Sequence, residues 1–292
     1  MIIGALEAGG TKMVCAYGDE SGRIMDQISI PTLTPDKTLS ECLEYFADKH
    51  IEALGIACFG PVDLRKNSTA YGHITSTPKP DWGGTDVVGF FKKSLGVPVG
   101  FDTDVNGSLL GEVTYGAARG LTDVVYFTIG TGVGAGIMSG GKLVHGMMHP
   151  EAGHMLLSKH INDTYKGRCP YHENCFEGLA AGPAIEERWG DKAINLSGRE
   201  DVWEMESYYI AQAMVNVIVT LSPQRIILGG GVMHQEQLFP LIREKTADML
   251  NGYIRSELLE DMNTYIVPAS LHDDQGIMGC IKLALDEMEA GR

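Results

Sequence analysis

Short apolar runs alternate with glycine-rich turns along this chain, and the pattern predicts strands joined by tight connections. The clearest case is residues 127–136, FTIGTGVGAG, which follow the apolar run 124–126 and lead into Ile137 and Met138. A strand that turns back through small residues can present successive backbone N–H groups to anionic oxygens. The stretch therefore predicts either a phosphate-binding turn or an ordinary glycine-rich hairpin.

A similar arrangement occurs near the N-terminus, about 120 residues earlier, and self-similarity of this kind marks repeated structural units. Residues 2–6 are apolar, residues 7–12 read EAGGTK, and residues 13–17 are apolar again. We therefore expect two related lobes. Each lobe would offer a backbone-lined turn to one polyphosphate, and the ligand would bind in a cleft between the lobes.

The remaining pattern predicts two β-β-β-α-β-α halves, and hence a duplicated α/β fold. Thr38 and Glu41 have the spacing of a capping box and predict a helix from residue 38 to about Lys49. The domains are expected at residues 1–116 together with the C-terminal helix at about 275–292, and at residues 117–274. Other predicted elements are strands 23–30, 54–59, 97–101, 225–228 and 264–267 and helices 85–95, 200–221, 235–250 and 275–288.

Composition narrows the possible partners. The net charge of −15 over 292 residues argues against binding nucleic acid or an anionic membrane, which requires basic patches. No apolar run approaches the ~20 residues of a membrane span. The chain enters an apolar strand at Ile2 without a leader, and four of its cysteines lie among apolar neighbours, which is typical of reduced, buried thiols. We therefore expect a cytoplasmic protein.

A cluster of soft ligands predicts a metal site. His154, Cys169, His172 and Cys175 include a Cys-x2-His-x2-Cys group, so one small loop could deliver three ligands. Two thiolates and two imidazoles complete a tetrahedral zinc shell and leave no open position, so we expect the zinc to be structural rather than catalytic. The alternative is that these are unrelated histidines and thiols.

Asp104 is the candidate general base. It follows a predicted strand and lies near the start of a helix, where a carboxylate could accept a proton from a sugar hydroxyl that attacks phosphorus. The alternative is helix N-capping by Asp102 or Asp104. We favour Asp104 as the base and assign Asp102 a supporting role.

Several further residues could contact a sugar or a nucleotide. Glu151 and Glu177 flank the predicted metal segment and could bind vicinal hydroxyls, although most glutamates of an acidic protein are simply solvated. Lys12 could pair with a phosphate as a point charge. Residues 229–231, three glycines after a strand, could seat phosphate or adenine or form a plain turn. Residues 182–183, Gly-Pro, could be a hinge or a helix start.

Together these residues resemble the ROK family of sugar kinases and repressors, and within it the bacterial fructokinases. The matching motifs are 7–12 (EAGGTK), 102–107 (DTDVNG), 130–134 (GTGVG), 150–154 (PEAGH), the Cys169–Cys175 cluster, 178–184 (GLAAGPA) and 229–231 (GGG).

The resemblance implies an actin-like ATPase (ribonuclease H-like) fold and ATP-dependent phosphorylation of a hexose with Mg²⁺, by a homodimer. It also implies that Asp104 is the general base. The residues it implies for sugar are Asn106, Glu151, His154 and Glu177, and those for nucleotide are Gly9, Gly10, Thr11, Lys12, Thr131, Gly132, Gly182, Pro183, Gly229, Gly230 and Gly231.

Three departures from the wider family favour fructose over glucose. Glu7 stands where most members carry Asp, and Thr103 replaces the Asn that commonly precedes the catalytic Asp. The zinc set has two histidines and two cysteines, whereas many glucokinases of the family use one histidine and three cysteines. All three differences resemble the fructokinase branch, and they imply phosphorylation of fructose, at its 6-hydroxyl.

Two alternatives remain open at the level of sequence. One is a kinase of mannose, glucose or an N-acetylated amino sugar on the same scaffold. The other is a sugar-sensing regulator without catalysis. Repressors of this family carry a helix-turn-helix before the first strand, whereas this chain starts at Ile2 without a basic extension and keeps Asp104, so the second alternative is disfavoured.

Overall fold

The chain folds into two five-stranded sheets with helices, in a computed structural model that describes residues 1–291. The strands are β1 Ile3–Ala8, β2 Lys12–Gly18, β3 Ile24–Pro31, β4 Ala53–Cys58, β5 Val99–Thr103, β6 Val124–Ile129, β7 Val133–Ser139, β8 Lys142–Leu143, β9 Arg225–Gly229 and β10 Ile266–Pro268. The helices are α1 Pro35–Phe46, α2 Val87–Leu95, α3 Asp104–Thr114, α4 Phe176–Ala180, α5 Gly182–Trp189, α6 Glu200–Leu221, α7 Leu238–Leu250, α8 Glu257–Glu260, α9 Met262–Tyr265 and α10 Gln275–Ala290.

The two sheets have the same strand order. One runs β3-β2-β1-β4-β5 and the other β8-β7-β6-β9-β10. Each sheet contains an antiparallel hairpin, formed by β1 and β2 in the first sheet and by β6 and β7 in the second. Strand β2 also pairs antiparallel with β3, whereas β1 with β4, β4 with β5, β6 with β9 and β9 with β10 are parallel. The expected α/β fold of two related halves is therefore confirmed.

By contact, the chain divides into two compact units. The first comprises Met1–Gly120, Leu143–Pro150 and the chain from Ser270 onward, and the second comprises Leu121–Lys142 and Glu151–Ala269. The domain limits expected from the sequence place residues 117–120, 143–150 and 270–274 with the second half, so the two descriptions differ at those segments.

In the first unit, helix α10 packs closely against the backbone of β4 and of α3. All six residues of β4 are buried, as expected for a strand that is covered on both faces. A Cβ on Gly55 would lie 1.7 Å from the carbonyl oxygen of Cys280, and one on Gly279 would lie 1.7 Å from that of Gly107. Helix α10 therefore packs directly on β4 and on α3, and this packing holds the start of α3 in place.

The predicted capping box at Thr38 is wrong. Helix α1 begins at Pro35, with Pro in the first turn, and ends at Phe46. Thr38 is buried inside the helix, and its hydroxyl accepts the N–H of Leu33 at 2.9 Å. Proline at the first helical position needs no amide partner and sets φ for a helix, so it starts the helix ahead of the Thr-x-x-Glu pattern.

In the second unit, α6 has the limits that its apolar pattern predicts, and it packs against α7. It stops at Leu221 because Pro223 cannot continue the helix. Within residues 1–291 no helix combines the length and the apolar character needed to cross a bilayer.

Candidate functional site

The turn between β1 and β2 is built to expose amides. The N–H of Gly9 donates to the carbonyl of Lys12 at 3.0 Å, and Thr32 holds the carbonyls of Gly9 and Thr11 at 2.7 and 3.0 Å. A Cβ on Gly9 would lie 2.6 Å from the Lys12 oxygen, so only glycine fits. Among the described residues, the amides of Gly10 and Thr11 donate to no protein acceptor. They remain available to solvent or to an anion.

The turn between β6 and β7 repeats this arrangement in the second unit. The N–H of Gly130 donates to the carbonyl of Gly132 at 2.9 Å, which closes the turn. For the amides of Thr131 and Gly132 the described part of the chain supplies no acceptor. Glu177 is hydrogen-bonded to the end of this turn, because its Oε2 accepts the N–H of Val133 at 3.0 Å.

Two further glycine segments meet this second turn. The N–H of Gly182, the first residue of α5, donates to the carbonyl of Gly130 at 2.7 Å. Pro183 follows in the first turn of α5, so this segment is a helix start, one of the two readings that the sequence left open. On the other side, a Cβ on Gly130 would lie 3.7 Å from the backbone nitrogen of Gly231.

Residues 229–231 form a turn that requires glycine at position 230. Gly230 has φ of +88°, and a Cβ there would lie 2.6 Å from backbone atoms of Ile129. The segment leads into a short 3-10 turn, Gly231–His234, and α7 begins only at Leu238 rather than at residue 235. The structure thus brings three of the predicted nucleotide segments together within the second unit.

Asp104 is the first residue of α3, and it is not the helix cap. The cap is Thr103, whose hydroxyl accepts the N–H of Asn106 at 3.2 Å. Asp102 does not cap the helix either, since its Oδ1 accepts the N–H of Thr103. The helix is therefore capped by Thr103 and by neither aspartate. The half-buried Asp104 lies in the first turn of α3, where its carboxylate accepts the N–H of Val105 at 2.9 Å.

A polar cluster of Asp102, Asn106 and His145 includes residues on either side of Asp104, in α3 and at the end of β5. The Oδ1 of Asp102 accepts the Asn106 side-chain amide at 2.6 Å, and its Oδ2 accepts His145 Nε2 at 2.9 Å. Asp102 and Asn106 are almost completely buried. The hydrogen bond to Asp102 raises the pKa of His145 above its usual value.

Glu7, near the end of β1, is an acid with an unusual environment. Its pKa is raised to about 7, chiefly by burial and also by the nearby negative charges of Asp104, Asp274 and Asp273, against the opposing effect of Lys12. Its carboxylate lies against the start of α10, because a Cβ on Gly276 would be 2.6 Å from it. Four carboxylates and one ammonium group thus interact electrostatically in the first unit.

The four predicted metal ligands converge. Their ligand atoms all lie within 4.8 Å of one another. His154 Nδ1 is 3.8 Å from the Sγ of Cys169 and 3.7 Å from that of Cys175, and His172 Nδ1 is 3.7 Å from Cys169 Sγ. A tetrahedral zinc with ordinary bond lengths would separate N and S ligands by about 3.6 Å, so the arrangement fits that ion.

The sugar-contact candidates occupy different surroundings. Glu151 is exposed and immediately precedes the 3-10 turn Ala152–His154 that carries a metal ligand. Glu177 lies in α4 and is tied to the second glycine turn. His154 uses Nδ1 toward the thiols, which leaves Nε2 as its other hydrogen-bonding atom.

Sequence reasoning missed His145 and His149. Both lie in the segment 143–150 of the first unit, where His149 Nε2 accepts the N–H of Val62 at 3.2 Å. The sequence offered one weak signal, which is the pair of histidines four residues apart just after a predicted strand. Nothing in that spacing points to Asp102, because the contact spans more than forty residues of chain.

Comparison with known proteins gives a consistent picture. The family described as "ROK family" matches residues 3–287. The chain is 47% identical to the fructokinase of Pediococcus pentosaceus over 284 residues, which cover 97% of this chain and 98% of that protein. It is 42% identical to the fructokinase of Zymomonas mobilis over 295 residues, which cover 97% and 96%.

A solved structure shares the fold. The ROK family glucokinase of Streptomyces griseus, in complex with glucose and AMPPNP, superimposes with a TM-score of 0.77 at 24% identity and covers 98% of this chain and 100% of that one. The likeness extends over both sheets and confirms the expected actin-like architecture.

Proposed function

Because the chain belongs to the ROK family, we infer that it is an ATP-dependent fructokinase, which transfers a phosphoryl group to D-fructose. Two fructokinases more than 40% identical to it over nearly their whole length favour this activity over the other sugar kinases of the fold. We propose that the product is fructose 6-phosphate.

The observation that carries the proposal is the state of Asp104. Thr103 supplies the helix cap, so the Asp104 carboxylate is not needed for capping. A carboxylate at a helix N-terminus is favoured in its ionised form by the helix dipole, which suits a group that must accept the proton of an attacking hydroxyl.

ATP would supply the phosphoryl group and Mg²⁺ would neutralise its oxygens, as in other phosphoryl transfers. The chain's own contribution to nucleotide binding would be the free amides of its two glycine turns. Gly10 and Thr11 provide them in the first unit, and Thr131 and Gly132 in the second. Lys12 would add a positive charge to the first turn.

The acids around Glu7 suit a hydrated magnesium ion. Burial and the neighbouring negative charge of Asp104 together raise the pKa of Glu7 to about 7. A divalent cation would relieve that mutual repulsion, and carboxylates are the ligands that Mg²⁺ prefers. We propose that Glu7 and Asp104 hold this ion, directly or through water.

We propose that Asn106, Glu151, His154 and Glu177 are the sugar-contacting residues. The carboxylates would accept vicinal hydroxyls, and His154 would contribute Nε2. We further propose that the ion held by His154, Cys169, His172 and Cys175 is structural zinc, because four protein ligands fill a tetrahedral shell.

We also propose a homodimer in the cytoplasm. Leu156, Ile161 and Tyr171 are exposed apolar residues of the segment that carries the metal ligands, and such residues are common where subunits meet. All six cysteines are buried free thiols, which suits a reducing compartment.

The decisive experiment is Asp104→Asn. We expect fructose binding to persist and kcat to fall by about 10³-fold, because the substitution keeps the shape and removes the base. Asp36→Asn is the matched control, since Asp36 also lies in the first turn of a helix but is exposed in α1. Near-normal turnover of Asp104→Asn would remove Asp104 from its role.

A second experiment addresses the substrate. Turnover is compared on fructose, mannose, glucose and N-acetylated amino sugars, and kcat/KM is expected to be highest for fructose. Preference for another sugar would assign the chain to a different kinase of the same fold. Sugar binding without phosphorylation of any member of the panel would favour a regulator.

A further inference from the structure

His145, whose side chain is 39% exposed, forms one corner of a polar triangle with the buried residues Asp102 and Asn106. It donates from Nε2 to Asp102 Oδ2 at 2.9 Å, and the same nitrogen lies 3.5 Å from the side-chain amide of Asn106. Asp102 completes the triangle by accepting that amide on Oδ1 at 2.6 Å. The carboxylate of Asp102 therefore has both oxygens occupied, because Oδ1 accepts the Asn106 amide and the N–H of Thr103 and Oδ2 accepts from His145.

Asn106 carries an unused acceptor. Its side chain is about 1% exposed, yet its Oδ1 finds no hydrogen-bond donor among the described residues. An unpaired buried oxygen costs free energy unless a ligand or water supplies a donor. The bond to Asp102 fixes the amide orientation, because Asp102 can only accept and so must face Nδ2. The carbonyl oxygen is thereby left for a hydroxyl donor.

We propose that His145 is a positioning residue for the sugar. Through Asp102 it fixes Asn106 so that Oδ1 accepts one hydroxyl of the acceptor substrate, a neutral polyol sugar. This inference rests on the proposed kinase function, and it adds a residue from the segment 143–150 to the sugar site.

The geometry explains why His145 rather than solvent completes the arrangement. Asp102 is buried, so its Oδ2 needs a protein donor, and an imidazole N–H beside a carboxylate forms a strong charge-assisted bond. Without that donor, Asp102 can turn toward other partners, and Asn106 loses its fixed orientation. The effect on the sugar should therefore exceed the effect on the nucleotide.

The test compares His145→Ala and His145→Gln with the wild-type enzyme. We expect His145→Ala to raise the KM for fructose about tenfold, with kcat and the KM for ATP changed less than twofold. His145→Gln should restore most of the affinity, because its amide can still donate to Asp102. His73→Ala is the matched control, since His73 also pairs with an aspartate, Asp86, in the first unit but outside this cluster.

A double-mutant cycle with Asn106→Ala separates positioning from packing. Adding His145→Ala to Asn106→Ala should change the KM for fructose little further, because the positioned group is already gone. Additive effects, or a His145→Ala enzyme with an unchanged fructose KM, would overturn the proposal.

A readout independent of activity distinguishes failure of this inference from failure of the proposed function. In ¹⁵N NMR spectra, the side-chain amide signals of Asn106, assigned by their loss in Asn106→Ala, should shift or broaden in His145→Ala and stay unchanged in His73→Ala. Unmoved signals would refute the positioning role even in an enzyme that phosphorylates fructose. Moved signals in a chain that phosphorylates no sugar would refute the kinase function alone.

Discussion

Thr103 shows how one side chain can decide the role of its neighbour. A capping residue was expected at the start of α3, and two aspartates were candidates. Instead the threonine hydroxyl accepts the N–H of Asn106, and the aspartates are directed to other partners. Sequence could not settle this, since Thr and Asp are both good N-caps and only the backbone register of α3 selects between them.

Glu7 yields a prediction about pH. Its pKa is raised from 4.5 to about 7, so between these values the folded chain keeps a proton that the unfolded chain releases. The protonated Glu7 therefore contributes most to the free energy of unfolding below pH 4.5. This contribution decreases as the pH rises from 4.5 and is lost as the pH passes about 7. The loss amounts to about 3 kcal/mol.

Chemical denaturation of the protein without Mg²⁺ or nucleotide checks this prediction. Glu7→Gln should be more stable than the wild type at pH 8 and should show a flatter dependence between pH 4.5 and 7. Glu44→Gln, an exposed glutamate on α1, serves as the control and should follow the wild-type curve. Parallel curves for Glu7→Gln and the wild type would contradict the raised pKa.

At the scale of elements, α3 does more than carry Asp104. Its buried Glu112 accepts three hydrogen bonds, two from the backbone and hydroxyl of Ser270 at 2.6 and 2.7 Å and one from the N–H of Ala117 at 2.8 Å. These donors lie just before residue 120, where the first stretch of the first unit ends, and at residue 270, where its last stretch begins. The Glu112 carboxylate therefore ties the end of the first stretch of this unit to the start of its last stretch.

Glu112→Ala should therefore destabilise the protein by about 3 kcal/mol, because three hydrogen bonds to a buried charged acceptor are lost. Glu112→Gln should fall between this variant and the wild type, since one amide oxygen can still accept. Urea denaturation measures the change, and Glu44→Ala supplies an exposed control. A cost for Glu112→Ala equal to that of the control would show that solvent replaces the lost acceptor.

The metal segment yields a second prediction at this scale. Between residues 145 and 180 the structure has only the 3-10 turn Ala152–His154 and the five-residue helix α4, so we expect the metal cluster to order this segment. The purified protein should contain one equivalent of zinc per chain, His172→Ala should lose it, and His160→Ala, in the same segment, should retain it. Metal analysis measures the content, and a chelator should lower the melting temperature of the wild type and of His160→Ala but not that of His172→Ala. Full zinc content in His172→Ala would exclude His172 as a ligand.

Hydrophobic patterns in the sequence predicted which segments are helical more accurately than they predicted the first and last residues of each helix. The apolar stripe of α6 gave both its ends, because a proline stops it and no competing cap precedes it. The start of α1 was misplaced because Pro35 initiates the helix before Thr38. The convergence of His154 with Cys169, His172 and Cys175 could be expected from spacing and ligand chemistry, since metal ligands must meet wherever the backbone runs.

At the scale of the whole molecule, the repeated glycine turn predicted two halves, and the halves share one strand order. Repetition is visible in sequence because both copies must solve the same backbone problem with glycine. The return of residues 143–150 to the first unit was not visible, because it depends on tertiary contacts such as His145 with Asp102 and His149 with Val62.

The net charge of −15 provides the last prediction, since it acts on the two substrates differently. Fructose is neutral, whereas MgATP is an anion that must approach an acidic molecule. At about 0.01 M salt the repulsion extends over roughly 30 Å, and at about 0.15 M over only 8 Å. The KM for MgATP should therefore fall about twofold when the salt concentration is raised from about 0.01 M to about 0.15 M, while the KM for fructose stays constant.

Steady-state kinetics at the two ionic strengths give both constants in one experiment, with fructose as the internal control. A KM for MgATP that rises with salt would mean that the attraction of Lys12 and of the exposed turn amides outweighs the overall charge. That attraction acts over the short distance of a bound phosphate, whereas the overall charge acts during approach. The sign of the salt dependence therefore tells which of the two fields governs nucleotide capture.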